Sequence, residues 1–117
     1  HMSSAAPFLI QTAGRTPMRD YVELALQGKF VEAEKISRQL QPVREVHEKW
    51  MREPWLKHKI IPIAQLKAWS DYLGLAGGHV RTPLLELSAA EREDLRRDLD
   101  RLALNQPEGR ASLASAA

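Results

Sequence analysis

The 117-residue sequence contains no cysteine, which excludes both disulfide bonds and thiolate chemistry. It also contains no apolar run near the roughly 20 residues that a membrane-spanning helix needs, and no signal peptide is visible. Neither sign of charge is in large excess, because 17 basic and 15 acidic residues leave a formal net charge of +2. This small excess is not the charge pattern of a nucleic-acid-binding protein. We therefore expect a cytoplasmic protein with neither nucleic-acid nor membrane partners.

Motifs that hold metals or phosphates are missing as well. His47, His58 and His79 do not have the spacing of zinc ligands. No Lys-Ser or Lys-Thr pair follows Gly77-Gly78, so these glycines indicate a turn rather than a phosphate loop. The sequence thus predicts no metal site and no cofactor.

The apolar residues that are present recur every three or four positions, which is typical of amphipathic helices. With no internal repeat and no long heptad run, this pattern predicts an all-α fold, a small bundle of about four helices. We expect the helical domain to span 16–104. Residues 1–15 are expected to hold a purification-tag scar, His1-Met2, and an extended lead-in. The small, polar residues 105–117 predict a disordered tail.

Start and stop signals divide the first half of the domain. Thr16-Pro17 predicts a helix start, with threonine as cap and proline at the first position, and Gly28 predicts its end. The second helix is predicted over 30–52. Pro42 lies inside it, so we expect a kink near Leu40, with two separate helices as the alternative.

Different signals organise the second half. Glu53-Pro54 predicts an interruption, followed by a connector from Trp55 to Pro62. The third helix is predicted from Pro62 to Leu73, and Val80–Leu87 is expected to be extended.

The fourth helix has the clearest start signal. Ser88 and Glu91 have the spacing of a capping box, in which each side chain satisfies a backbone donor of the other residue. This helix is predicted to continue to about Leu104. The apolar stripes that predict the buried faces of the four helices are, in chain order, Met18, Tyr21, Leu24, Ala25; Phe30, Ala33, Ile36, Leu40, Val43, Val46, Trp50; Ile63, Leu66, Leu73; and Leu95, Leu99, Leu102.

Three motifs follow one another in a specific order. They are a lysine in a helix that ends in Leu-Gly-Leu (Lys67, Gly74), an Arg-x-Pro-Leu segment (Arg81, Pro83), and a leucine before a serine cap (Ser88). In this order they resemble the C-terminal helices of the dihydrodipicolinate synthase / N-acetylneuraminate lyase family, over roughly Pro17 to Leu104.

The resemblance implies that this chain lies outside the active site of its parent enzyme. Members of the family are Schiff-base aldolases or lyases built on a (β/α)₈ barrel, with the active site at the carboxyl ends of the strands. It implies a catalytic lysine and a tyrosine on barrel strands that are not in this chain, and a keto-acid substrate such as pyruvate for the parent enzyme. The glycine-rich last strand of the family does not match residues 3–15. The helices are therefore expected to pack on the missing barrel or on another copy and to be inactive alone. The alternative is a free-standing helical protein-interaction or dimerisation module.

Three lysines are candidates for a Schiff-base nucleophile. Such a lysine needs a pKa well below its ordinary value of about 10.4. Lys57 and Lys59 flank His58 in what reads as a solvated connector, and Lys67 can lay its methylenes along the apolar stripe. We therefore predict no catalytic residue in this chain.

Structural anchors are the better interpretation of the remaining motif residues. The guanidinium of Arg81 is expected to clamp helix-end carbonyls or a carboxylate. The other predicted anchors are Pro83, Lys67, Gly74 and Ser88.

Overall fold

The structure is a computed structural model that describes residues 8–12 and 14–104. This part of the chain is mostly helical, and its only β feature is an isolated bridge between Thr12 and Arg15. The predicted all-α class is therefore confirmed. The predicted tag scar and the predicted disordered tail lie outside the described residues.

Helices account for most of the described chain, which divides into two compact units. One unit has the described residues up to Val43 together with Ala103 and Leu104, and the other has Arg44–Leu102. A 3₁₀ turn at Phe8–Ile10 comes first, and a π-helical segment, Glu48–Arg52, follows the third α-helix. The α-helices are α1 (Pro17–Leu26), α2 (Phe30–Gln39), α3 (Gln41–His47), α4 (Glu53–His58), α5 (Ile63–Tyr72) and α6 (Ala89–Leu102).

In the first unit, α1 and α2 pack against each other across a tight turn. Gly28 has a φ of +74°, which glycine tolerates better than other residues. Its N–H donates to the carbonyl of Ala25 at 3.0 Å, and that of Lys29 donates to Leu24 at 2.9 Å. These two bonds form a Schellman motif, so the predicted helix stop at Gly28 is confirmed.

The start of α1 differs from the prediction in one respect. Pro17 occupies the first helical position as predicted, but the Thr16 side chain makes no capping hydrogen bond to the helix backbone. Its hydroxyl instead donates to the Asp20 carboxylate at 3.5 Å. The proline alone therefore marks this helix start.

The kink expected near Leu40 within one continuous helix is instead a break, because α2 ends at Gln39 and Leu40 alone separates it from α3. Pro42 has no N–H to donate to the carbonyl four residues earlier, so the regular hydrogen-bond ladder cannot continue there. The alternative of two separate helices thus describes the chain better than one kinked helix does.

The predicted connector from Trp55 to Pro62 is wrong in its first half. Pro54 does not interrupt the helical path: it lies in the first turn of α4, directly after the π-helical segment. The helix ends instead at His58, and Lys59 follows it with a left-handed backbone, at a φ of +57°.

In the second unit α5 and α6 pack against each other around Trp69, which is fully buried. The predicted stripe of α6 is confirmed. The predicted stripe of α5 is wrong, because Ile63, Leu66 and Leu73 are only half-buried and the core-facing side carries Trp69 with two alanines. A large ring beside small residues fills the space next to α6 better than the aliphatic stripe does. The buried apolar residues of this unit are Trp50, Met51, Ala64, Ala68, Trp69, Leu95, Leu99 and Leu102.

Candidate functional site

The second unit contains an apolar groove of about 470 Å³. One wall is the chain that links α4 to α5, with Ile60 and Ile61. The other wall is the loop before α6, with Leu84 and Leu85. We call this feature the groove, and these four residues its apolar walls.

The apolar walls are unusually open to solvent for aliphatic side chains. The exposed fraction is 53% for Ile60, 56% for Ile61 and 86% for Leu85. Exposed apolar residues grouped in this way, rather than scattered singly, mark association surfaces. The groove is therefore suited to binding another apolar surface.

The polar residues of the groove carry opposite charges on its two sides. Lys59 lies on the Ile60 side, with Nζ 5.9 Å from the centre of the Trp55 ring. Glu86 and Glu91 lie on the Leu85 side. An apolar strip between a positive and a negative edge can recognise a surface with the same pattern reversed.

Gln65 also lines the groove and is only 9% exposed. Among the described residues the one buried side-chain polar atom without a hydrogen-bond partner is Arg15 Nη1, so the Gln65 amide is not an unsatisfied buried group.

A second apolar surface lies at the turn between α1 and α2 in the first unit. Leu26 is 83% exposed and Phe30 is 69% exposed. Tyr21 and Phe30 were predicted to face the core, and the structure corrects both: the helix pair buries smaller residues such as Ala33 and turns these rings outward. We call this surface the hairpin face; its residues are Tyr21, Val22, Leu26, Phe30 and Val31.

Lys67 and Asp71 hold the glycine loop that follows α5. Lys67 Nζ donates to the carbonyl of Gly77 at 2.8 Å. Asp71 Oδ1 accepts from the backbone N–H groups of Gly77 at 2.8 Å and Gly78 at 3.2 Å. Sequence reasoning selected Lys67 but missed Asp71, whose position one turn after Lys67 was the available signal.

Gly74 and Ser88 lie at the helix ends where the sequence predicts them. Gly74 has a φ of +80° and donates to Asp71, while Leu75 donates to Ser70 at 2.9 Å, which completes a Schellman motif at the end of α5. Ser88 N–H donates to Glu91 Oε2 at 2.8 Å, and Glu91 N–H donates to Ser88 Oγ at 3.2 Å. Hydrogen bonds from Ser88 also lower the pKa of Glu91.

Arg81 and Pro83 lie in the exposed loop before α6. Within the described part of the chain the Arg81 guanidinium makes no hydrogen bond and no ion pair, so the predicted clamp is not formed there. The Thr82–Pro83 peptide bond is cis, and Pro83 lines the groove beside Leu84.

Two of the candidate nucleophiles, Lys57 and Lys59, contact polar groups at the surface. Lys57 Nζ is 2.9 Å from Glu53 Oε2 and its side chain is 61% exposed. Lys59 Nζ donates to the carbonyl of Leu56 at 3.3 Å. Neither lysine lies in an enclosed apolar cavity of the kind that makes an amine nucleophilic.

Glu86 joins the loop to α6 through a small polar network. Its carboxylate accepts from the backbone N–H of Val80 at 2.9 Å and lies 3.1 Å from His79 Nδ1 and 3.4 Å from Arg92 Nη2. The bond from Val80, with smaller effects of His79 and Arg92, lowers the pKa of Glu86. The carboxylate therefore stays charged on the negative edge of the groove.

Another hollow, of about 370 Å³, lies between α5 and α6 beside Tyr72. The Tyr72 hydroxyl donates to Asp100 Oδ1 at 3.0 Å. Burial, together with this hydrogen bond, raises the pKa of Tyr72 to about 12. A phenol with that pKa stays protonated near neutral pH, so it is a poor general base.

The described residues contain no group of three or more histidine, aspartate or glutamate side chains placed to hold a metal ion. None of their helices combines the length and apolar character needed to cross a bilayer.

No protein-family model, curated protein or solved structure matches this chain. These comparisons do not link the chain to the lyase family, so the resemblance stays a prediction from the order of motifs.

Proposed function

We propose that this chain is a helical association region that performs no bond-making chemistry of its own. The hairpin face carries this proposal, because Leu26 and Phe30 expose most of their apolar surface beside a tight turn. Removing such surface from water is worth about 25 cal/mol per Å². A complex in which a second polypeptide covers this face would be stabilised by that free energy.

We propose that the body is the barrel of a lyase similar to dihydrodipicolinate synthase, with this chain as its C-terminal helical region. The support is the motif order that ends in the Lys67 helix, the Arg81–Pro83 segment and the Ser88 cap. In such a protein the helices pack on the flank of the barrel, and the barrel supplies the reactive amine.

The first experiment tests whether the chain itself forms Schiff bases. The purified chain is incubated with pyruvate and sodium borohydride, and adducts are counted by mass spectrometry. We expect no stoichiometric adduct, because the surface amines are solvated. Stoichiometric trapping on Lys57, Lys59 or Lys67 overturns the proposal.

The second experiment tests the partner. The chain is titrated by calorimetry into a dihydrodipicolinate synthase barrel that lacks its own C-terminal helices. We expect binding that Leu26→Asp weakens about tenfold or more, since it places a charge at the centre of the hairpin face. Gln27→Asp is the matched control, because it adds the same charge at the same helix end outside that face. Absence of binding by the unmodified chain overturns the assignment to this partner.

A further inference from the structure

The groove in the second unit differs from the hairpin face because it combines a projecting leucine beside apolar walls with charged residues of both signs. A two-fold dimer uses the same surface patch on both copies, so that patch must be complementary to itself. We propose that the occupant of the groove is a second copy of this chain, docked through the same groove. This inference does not rest on the proposed function, since it uses residues of the other unit.

Shape gives the first argument. Leu85 belongs to one wall of the groove, yet it is 86% exposed, so most of its side chain projects away from the protein. The projecting leucine is the knob of an interface, and the apolar groove beside it is the hole that can receive the leucine of another copy. Two copies related by a two-fold axis insert Leu85 of each into the groove of the other, against Ile60 and Ile61.

Charge gives the second argument. Lys59 lies on one side of the apolar walls, and Glu86 and Glu91 lie on the other. The two-fold rotation that brings the grooves together brings the positive edge of one copy to the negative edge of the other. Such pairs orient the partners more than they tighten the complex.

The test is the association state of the full chain, measured by sedimentation velocity over a concentration series. We expect a monomer–dimer equilibrium. Leu85→Glu should raise the dimer Kd by about tenfold or more, because it removes the knob and places a carboxylate in the groove of the partner. Leu26→Asp, on the hairpin face, should leave the Kd unchanged.

Circular dichroism of each variant verifies that the monomer is still folded.

Three outcomes overturn the inference. The first is a chain that stays monomeric up to about 1 mM, the weak end of measurable association. The second is a dimer that Leu26→Asp abolishes and Leu85→Glu does not, since the interface is then the hairpin face. The third is open-ended growth with concentration, since a two-fold contact must close at the dimer. The barrel titration with Leu26→Asp is independent of all three, so the two proposals can fail separately.

Discussion

Single residues decide how the loop after α5 closes, and Gly77 is the clearest case. A Cβ on Gly77 would overlap the Lys67 carbonyl oxygen and would lie 2.8 Å from that carbonyl carbon. Both are backbone atoms, so the helix end would have to move. The loop that Lys67 and Asp71 hold can therefore form only with glycine at this position.

Gly77→Ala should lower the free energy of unfolding by about 1 to 3 kcal/mol, the usual cost of overpacking. The measurement is urea denaturation followed by tryptophan fluorescence. Gly14→Ala is the control, because a Cβ there meets nothing within 4 Å. Equal stability of the two variants would show that the loop does not hold the contacts described for Gly77.

His47 is the residue whose titration should be visible near neutral pH. Burial lowers its pKa, while the nearby Glu48 carboxylate partly opposes this effect. Its ring lies 6.5 Å from that of Trp69, edge to face. Because the folded state favours neutral His47, the unfolded state binds its proton more readily.

The stability that neutral His47 contributes should therefore be fully present above about pH 6.5, the ordinary histidine pKa. As the pH falls below that value the free energy of unfolding should decrease, until the pKa of His47 in the folded state is passed. His47→Phe keeps an aromatic ring beside Trp69 and removes the titration, so it should flatten this part of the curve. His58→Phe, at an exposed position, should keep the slope. If both variants showed the same slope, His47 would not be the source of the pH dependence.

At the scale of elements, the N-termini of α1 and α6 differ, although a residue with a side-chain hydroxyl precedes each helix. Ser88 exchanges hydrogen bonds with Glu91, whereas Thr16 makes no capping bond to the backbone of α1. Ser88→Ala should cost about 1 kcal/mol of stability, and Thr16→Ala should cost less. Thermal unfolding of the two variants side by side checks this; a larger loss for Thr16→Ala would contradict it.

The attachment of α6 to the π-helical segment depends on Asp98. Its Oδ2 accepts from Trp50 Nε1 at 2.8 Å and from Lys49 Nζ at 2.5 Å. Burial alone would raise the pKa of Asp98, but these hydrogen bonds and the charge of Lys49 outweigh it and lower the pKa. The carboxylate therefore stays charged at the contact between the two elements.

Asp98→Ala leaves the buried indole N–H of Trp50 without its acceptor, and we expect a loss of about 1 to 3 kcal/mol. Asp94→Ala, one turn earlier on the same helix, removes only an exposed pair with Arg97 and should change stability by less than about 0.5 kcal/mol. Chemical denaturation of both proteins provides the comparison. Similar losses would mean that the Trp50 bond contributes no more than a surface pair.

At the scale of the whole molecule, each of the two units leaves an apolar surface uncovered. The hairpin face belongs to one unit and the groove to the other. A chain of this size buries only about two-thirds of its unfolded surface, so a partner can add substantially to its stability.

If two copies associate through the groove, the melting temperature of the chain should rise with its concentration, because association stabilises only the folded state. Leu85→Glu should show a smaller rise over the same concentrations, because it weakens the dimer. Calorimetric scans at several concentrations test both statements. A concentration-independent melting temperature for the unmodified chain would contradict association under these conditions.

The sequence by itself determined the local features, because each depends on residues within one or two turns. The stops at Gly28 and Gly74 and the cap at Ser88 could all be predicted from single residues and their neighbours. Pro42 indicated a disturbance near Leu40, but a kink was expected there and the structure has a break. The buried stripe of α6 was also predictable, since its three leucines are its only large apolar residues.

Tertiary structure alone decided which faces are buried. Phe30 and Ile63 satisfy the helical period as well as Ala33 and Ala64 do, yet packing covers the alanines more fully and leaves Phe30 largely in water. Periodicity records which residues share a face, but burial depends on what lies opposite that face. The groove has the same origin, because its walls are more than twenty positions apart in sequence, and only folding brings Ile60 and Leu85 to one surface.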